Sequence, residues 1–158
     1  MRLGLLVAAA VVVLDQASKA ALIALMAERG GEPLVVTGFF RLVMVWNEGV
    51  SFGVLNSGDG TDVRRWLLVG VALAVVAGLL YWLSRARDRW LRATLGAIVG
   101  GALGNVVDRV RFGAVADFFD AHLGPWHWPA FNVADAAISV GVVILVADGL
   151  LRRGPKAT

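Results

Sequence analysis

The chain has 158 residues, 58% of them hydrophobic and 17% charged, with a formal net charge of +3. A mean hydropathy of +0.73 lies outside the range of soluble domains and identifies an integral membrane protein. The basic residues stand mostly at the ends of apolar runs, which fits membrane orientation better than a nucleic-acid face; the lack of cysteine excludes a disulfide framework, a thiolate nucleophile and a Cys-ligated metal.

The first apolar run, Leu3 to Leu14, is short enough for a signal-peptide core, but the pattern resumes after Lys19 and continues to Met26. That makes about 24 residues, enough helix to cross a bilayer, so 3–26 is read as span one. Asp15 and Lys19 fall one helical turn apart on one face. Such a pair either neutralises itself or faces a functional cavity, since intramembrane charges avoid lipid. Glu28 to Arg65 is polar by comparison. Within it Leu34 to Trp46 is rich in β-branched and aromatic residues, punctuated by Pro33 and Gly38, and is expected to form short strands at the membrane surface. The β region is placed at about 33–58. It contains the loop Asn47 to Gly53, NEGVSFG, whose glycines permit close approach of backbone to a ligand.

Span two is placed at 66–83, span three at 91–107 and span four at 134–151. Gly96, Gly100 and Gly104 recur every four residues, a spacing that lets another helix pack closely. Arg85, Arg87, Arg89 and Arg92 crowd the link between spans two and three, Arg2 precedes span one, and Arg152, Arg153 and Lys156 follow span four. The positive-inside rule then puts both termini and this link in the cytoplasm. Arg64 and Arg65 fall on the other side, beside Asp59 and Asp62. Trp66, Trp82, Trp90, Trp126 and Trp128 lie at the expected span ends, as an interfacial belt requires. This topology brings Asp15, Lys19, Asp117 and Asp135 toward the extracytoplasmic face.

Asn132 with Asp135 three residues on reads as a cap for span four. Asp117, between Ala116 and Phe118 in a membrane-edge loop, has no such role, whereas Asp120 reads as a solvated neighbour. If Asp117 and Asp135 approach closely they cannot both ionise cheaply; one proton is then shared, leaving one carboxylate to activate water and the other to protonate a leaving amine. That is aspartic-peptidase chemistry, which requires no cofactor. Two histidines, His122 and His127, are a poor basis for a zinc site, and no metal is expected.

Five blocks, DQASK (Asp15 to Lys19), NEGVSFG (Asn47 to Gly53), GGALGNVVDR (Gly100 to Arg109), VADF (Val115 to Phe118) and FNVAD (Phe131 to Asp135), together resemble lipoprotein signal peptidase, or signal peptidase II. The blocks stand in the family's order and span most of the chain. The resemblance implies a single integral membrane domain, mainly α, of four transmembrane helices with a small extracytoplasmic β-sheet. It implies an aspartic endopeptidase of the bacterial cytoplasmic (inner) membrane, cutting prolipoproteins before a diacylglyceryl-modified Cys. Asp117 and Asp135 would be the catalytic dyad, and Asn47, Gly53, Asn105, Asp108, Arg109, Asn132, Asp15 and Lys19 would bind substrate or organise the site. The expected partners are the prolipoprotein and membrane lipid, with no nucleic acid, and the protein is expected to be a monomer.

Two other readings compete. A small four-helix proton-coupled transporter would use Asp15 and Lys19. A serine peptidase would need Ser51 as nucleophile with Lys19 as base.

Overall fold

The computed structural model describes residues 1–49 and 63–151. Among them four helices are long and apolar enough to cross a membrane: α1 (Arg2–Glu28), α2 (Val63–Arg85), α3 (Arg89–Phe112) and α4 (Val133–Leu151). Half of the apolar window of α3 is buried, against at most 17% in the others. It is the central helix, packed on α1, α2 and α4.

Small residues explain how that packing is reached. A Cβ on Gly96 would strike the backbone of Gly4, one on Gly100 would lie 2.6 Å from the Ala8 carbonyl oxygen, and one on Gly104 2.5 Å from the Asp15 carboxylate. The four-residue glycine repeat therefore faces α1 along its length, as its spacing predicts. Because later residues of α3 meet later residues of α1, these two helices run parallel. On an adjoining face, a Cβ on Gly101 would meet Ala134 and one on Gly141 would meet Ile98, so α4 runs antiparallel to α3. The starts of α1 and α3 and the ends of α2 and α4 consequently share one end of the bundle. The cluster of Leu83, Ala86 and Leu95 closes that end.

Helix α3 extends beyond the expected 91–107 at both ends. Asp88 accepts a hydrogen bond from the Trp90 amide at 2.8 Å and caps its start. At the other end Gly113, at φ 82°, adopts the left-handed conformation that closes a helix, its amide bonded to the Arg109 carbonyl. Asp108 and Arg109 thus remain on a helix, where their backbone groups are satisfied and their side chains are aimed by the helical repeat.

The opposite end of the bundle carries an antiparallel sheet in the order β1 (Leu34–Thr37), β2 (Phe40–Asn47), β3 (Val115–Leu123), β4 (Trp126–His127). Strands β1 and β2 lie within the segment expected to be extended; the part of that expectation covering 50–58 falls outside the described residues. Strand β3 is a correction, because Asp117 lies on a strand rather than in a loop. It pairs Val45 with Asp117 and Arg41 with Asp120, and the register shifts between Leu42 and Val45.

Candidate active site

Lys19 is buried inside the bundle, and each of its three hydrogens has an acceptor. Its Nζ lies 2.8 Å from Asp15 Oδ2, 2.7 Å from Asp108 Oδ2 and 3.2 Å from Asn105 Oδ1. The pair that sequence spacing placed on one face of α1 is therefore a three-way junction with α3. Each carboxylate has further work. Asp15 accepts the Ala134 amide at 2.9 Å, satisfying a free N–H in the first turn of α4. Asp108 accepts Gln16 Nε2 at 2.9 Å and the Ala116 amide at 3.1 Å. One buried cluster locates α1, α3, the start of β3 and the start of α4 relative to one another.

Asn105 and Asn132 carry this order to the two candidate catalytic residues. Asn132 is fully buried. Its Nδ2 donates to Asp117 Oδ1 at 2.7 Å and also lies 3.2 Å from Asn105 Oδ1 and 3.3 Å from the Ala116 carbonyl. With two hydrogens for three acceptors, the shortest contact identifies Asp117 as its main partner. The Oδ1 of the same side chain accepts the Asp135 amide at 2.9 Å, and Asp135 Oδ2 accepts the Asn132 amide at 3.3 Å. This reciprocal pair is the helix cap read from the spacing of Asn132 and Asp135. Asp135 keeps its other oxygen, Oδ1, for Asn105 Nδ2 at 2.8 Å. Capping and site placement are thus done by one residue. Asp117 is held on its second oxygen by Asn47 Nδ2, at 3.0 Å.

Asp117 is buried on β3, and its carboxyl is pushed up to about 6. Burial is the main cause. Hydrogen bonds from Asn47 and Asn132 pull the other way, and the neighbouring charge of Asp135 pushes up again. Arg109 completes the surroundings. Its charge interacts with Asp135, Asp117 and Asp108, its Nη1 makes a long 3.4 Å contact with the Asn105 carbonyl, and its Nε is buried without a hydrogen-bond partner among the described residues.

A family model described as signal peptidase (SPase) II matches residues 7–151. The chain belongs to the signal peptidase II family. Relatives called lipoprotein signal peptidase include one from Methylobacterium sp. (strain 4-46), 51% identical over 92% of this chain and 87% of its own length. Another, from Rhizorhabdus wittichii, is 48% identical over 98% of this chain and 89% of its own. A solved structure described as a bacterial membrane enzyme superposes with a TM-score of 0.77 at 25% identity, covering 98% of this chain and 91% of that one. A second, likewise described, gives a TM-score of 0.78 at 24% identity, over 96% and 94%. As a signal peptidase II the protein is a multi-pass bacterial membrane protease, and nothing in these similarities favours a transporter.

Within this signal peptidase II, Asn47, Asn105, Asp108, Arg109, Asn132, Asp15 and Lys19 converge with Asp117 and Asp135. Gly53 and Ser51 lie outside the described residues, as do Asp59 and Asp62; Arg64 is paired with Glu48 at 2.7 Å. The reading of Asp120 as a solvated neighbour is corrected. It is 5% exposed, faces Arg41 across the sheet, and accepts hydrogen bonds from Arg41 and from His127 Nδ1, the latter at 2.9 Å. Burial opposes its ionisation, but these two partners outweigh burial and hold the carboxyl below its ordinary value. Gln16 was missed altogether. Its place between Asp15 and Lys19 was visible in the sequence, but its reach to Asp108 depends on how α1 and α3 pack.

Proposed function

We propose that the chain is an aspartic endopeptidase that frees prolipoproteins of their signal peptides, with Asp117 and Asp135 sharing the acid–base work. The supporting observation is that the Asn132 side chain binds both residues, donating to the Asp117 carboxylate and accepting the Asp135 backbone amide. A strand and a helix terminus are thereby tied at one point.

The raised Asp117 carboxyl suits it to hold the proton, leaving Asp135 to act as the base. Asp135 takes a proton from water as the water oxygen attacks the carbonyl of the residue preceding the lipid-modified Cys. Asp117 gives its proton to the carbonyl oxygen. On collapse the C–N bond breaks, the Cys amine leaves with the proton held by Asp135, and the new carboxyl returns a proton to Asp117. Arg109, whose charge interacts with both Asp135 and Asp117, is suited to orient a substrate carbonyl beside the dyad. Asn47 holds Asp117 and, through its Oδ1, turns the chain at the Gly49 amide at 2.9 Å.

A diacylglyceryl group keeps the substrate in its leaflet because each buried CH₂ contributes about 0.8 kcal/mol. A dyad at the bundle end meets the cleavage site at that depth, while water arrives from outside. With Arg85, Arg87, Arg89 and Arg92 at the opposite end of the bundle, the positive-inside rule makes the dyad end extracytoplasmic and both termini cytoplasmic. The serine-peptidase reading has less support than before, because the three donors of Lys19 are committed to Asp15, Asp108 and Asn105.

The test is processing of a diacylglyceryl-modified prolipoprotein by the wild type, Asp117→Asn and Asp135→Asn, with folding checked by thermal unfolding in detergent. Both variants should fold and show at least roughly a hundredfold loss of rate. A folded variant cleaving at near wild-type rate excludes the dyad.

A further inference from the structure

The hairpin of β3 and β4 carries a cavity of about 510 Å³, within the usual size of a small-ligand site. Phe39, Leu123, Trp126 and Trp128 form its apolar walls, and His122 and His127 its polar edge. The four apolar side chains are 63 to 81% exposed, a concentration that marks a contact surface rather than scattered surface hydrophobics.

Connectivity indicates what covers it. β3 follows α3 after a single tight turn at Gly113, and α4 begins at Val133, so both roots of the hairpin are fixed to span ends at one face of the bilayer. Nine strand residues at about 3.3 Å each keep the tip within about 30 Å of that level. Trp46 packed at a tilt against Phe112, centroids 5.4 Å apart, marks the same level with aromatic side chains. An exposed aromatic cluster rooted at two span ends lies where interfacial aromatic side chains meet lipid.

The polar edge narrows the choice of ligand. His127 Nδ1 is held by Asp120, with Arg41 bound to the same carboxylate. The two imidazoles face each other across the strands, centroids 5.0 Å apart and tilted by 30°, and His122 Nδ1 is buried with no hydrogen-bond partner among the described residues. Apolar walls ending in imidazoles and a nearby guanidinium suit a molecule with a hydrocarbon tail and an anionic head.

We propose that this cavity binds a glycerophospholipid of the adjoining leaflet, an acyl chain against Phe39, Leu123, Trp126 and Trp128 and the phosphate at the His122–His127 edge. A lipid held there would fix the depth of β3, and with it Asp117, relative to the bilayer. The site is distinct from the dyad, and its binding test is independent of the peptidase assignment.

The experiment uses the full chain in phosphatidylglycerol nanodiscs containing lipid brominated on the upper acyl chain. Tryptophan emission of the wild type should be quenched more than that of Trp126→Leu/Trp128→Leu, which retains four other tryptophans; equal fractional quenching overturns the proposal. Native mass spectrometry from detergent should show phosphatidylglycerol retained roughly tenfold better than diacylglycerol of the same chains. His122→Gln, which leaves the Asp120–His127 contact in place, should abolish that preference. Equal retention of the two lipids by the wild type, or an unchanged preference in His122→Gln, overturns the assignment of the phosphate.

Discussion

Asp117 has two amide donors and still carries a raised carboxyl, because burial outweighs two hydrogen bonds. The sign for stability follows. A carboxyl raised to about 6 in the folded state, against 3.8 ordinarily, favours folding at low pH, and its contribution is lost as pH rises through 6. Thermal unfolding of the wild type should therefore show stability lost between about pH 4 and 6 that Asp117→Asn does not show. With Asp117 as the acid, kcat/KM should fall as pH rises through that value. Asn47→Ala removes a bond that lowers the carboxyl, so its alkaline limb should move upward while the fold persists, since Asn47 is exposed. A profile that instead rises through pH 6 in the wild type reverses the roles of the two Asp residues.

At the scale of elements, α3 is a helix whose faces are defined by what its glycines admit. Gly96, Gly100 and Gly104 admit α1, and Gly101 admits α4. Gly96→Val should destabilise by about 1–3 kcal/mol, because the neighbour it meets is backbone and cannot swing aside. Gly78 on α2 has nothing within 4 Å. Gly78→Ala should be neutral or stabilising by up to about 1 kcal/mol through helix propensity, and thermal unfolding of the pair in detergent checks both. The glycine spacing was legible in the sequence because a four-residue period stays on one face of any helix. Strand β3 was not legible in the same way. Its sequence VADFFDAHL has no clean alternation, since the shift in register opposite it buries Asp117 and Asp120 at an odd separation.

For the whole molecule, bundle topology and arginine placement make a joint prediction about orientation. The chain has no cysteine, so single substitutions report without background. Leu123→Cys, at the exposed hairpin, should react in intact spheroplasts with a membrane-impermeant thiol reagent; Arg87→Cys should react only after lysis. The reverse pattern would invert the protein. The same topology explains why residues 119 positions apart, Asp15 and Ala134, form a hydrogen bond at 2.9 Å. α1 runs parallel to α3 while α4 returns antiparallel, so the middle of span one, at Asp15, meets the start of span four.

The amino-acid sequence by itself determined that this is a four-span membrane protein, which polar residues are unusual for their setting, and which end of the bundle gathers them. Those properties follow from hydropathy, helix length and charge bias, which act locally or along the membrane normal. It also determined the cap at Asn132 and Asp135, because a capping pair is a three-residue interaction. Only the tertiary structure decided that Asn132 reaches Asp117 as well, that Lys19 is shared with Asp108, and that Asp120 is buried. Each of these contacts depends on lateral position within the bundle and on the register of one strand against another, and no periodicity in a single segment encodes either.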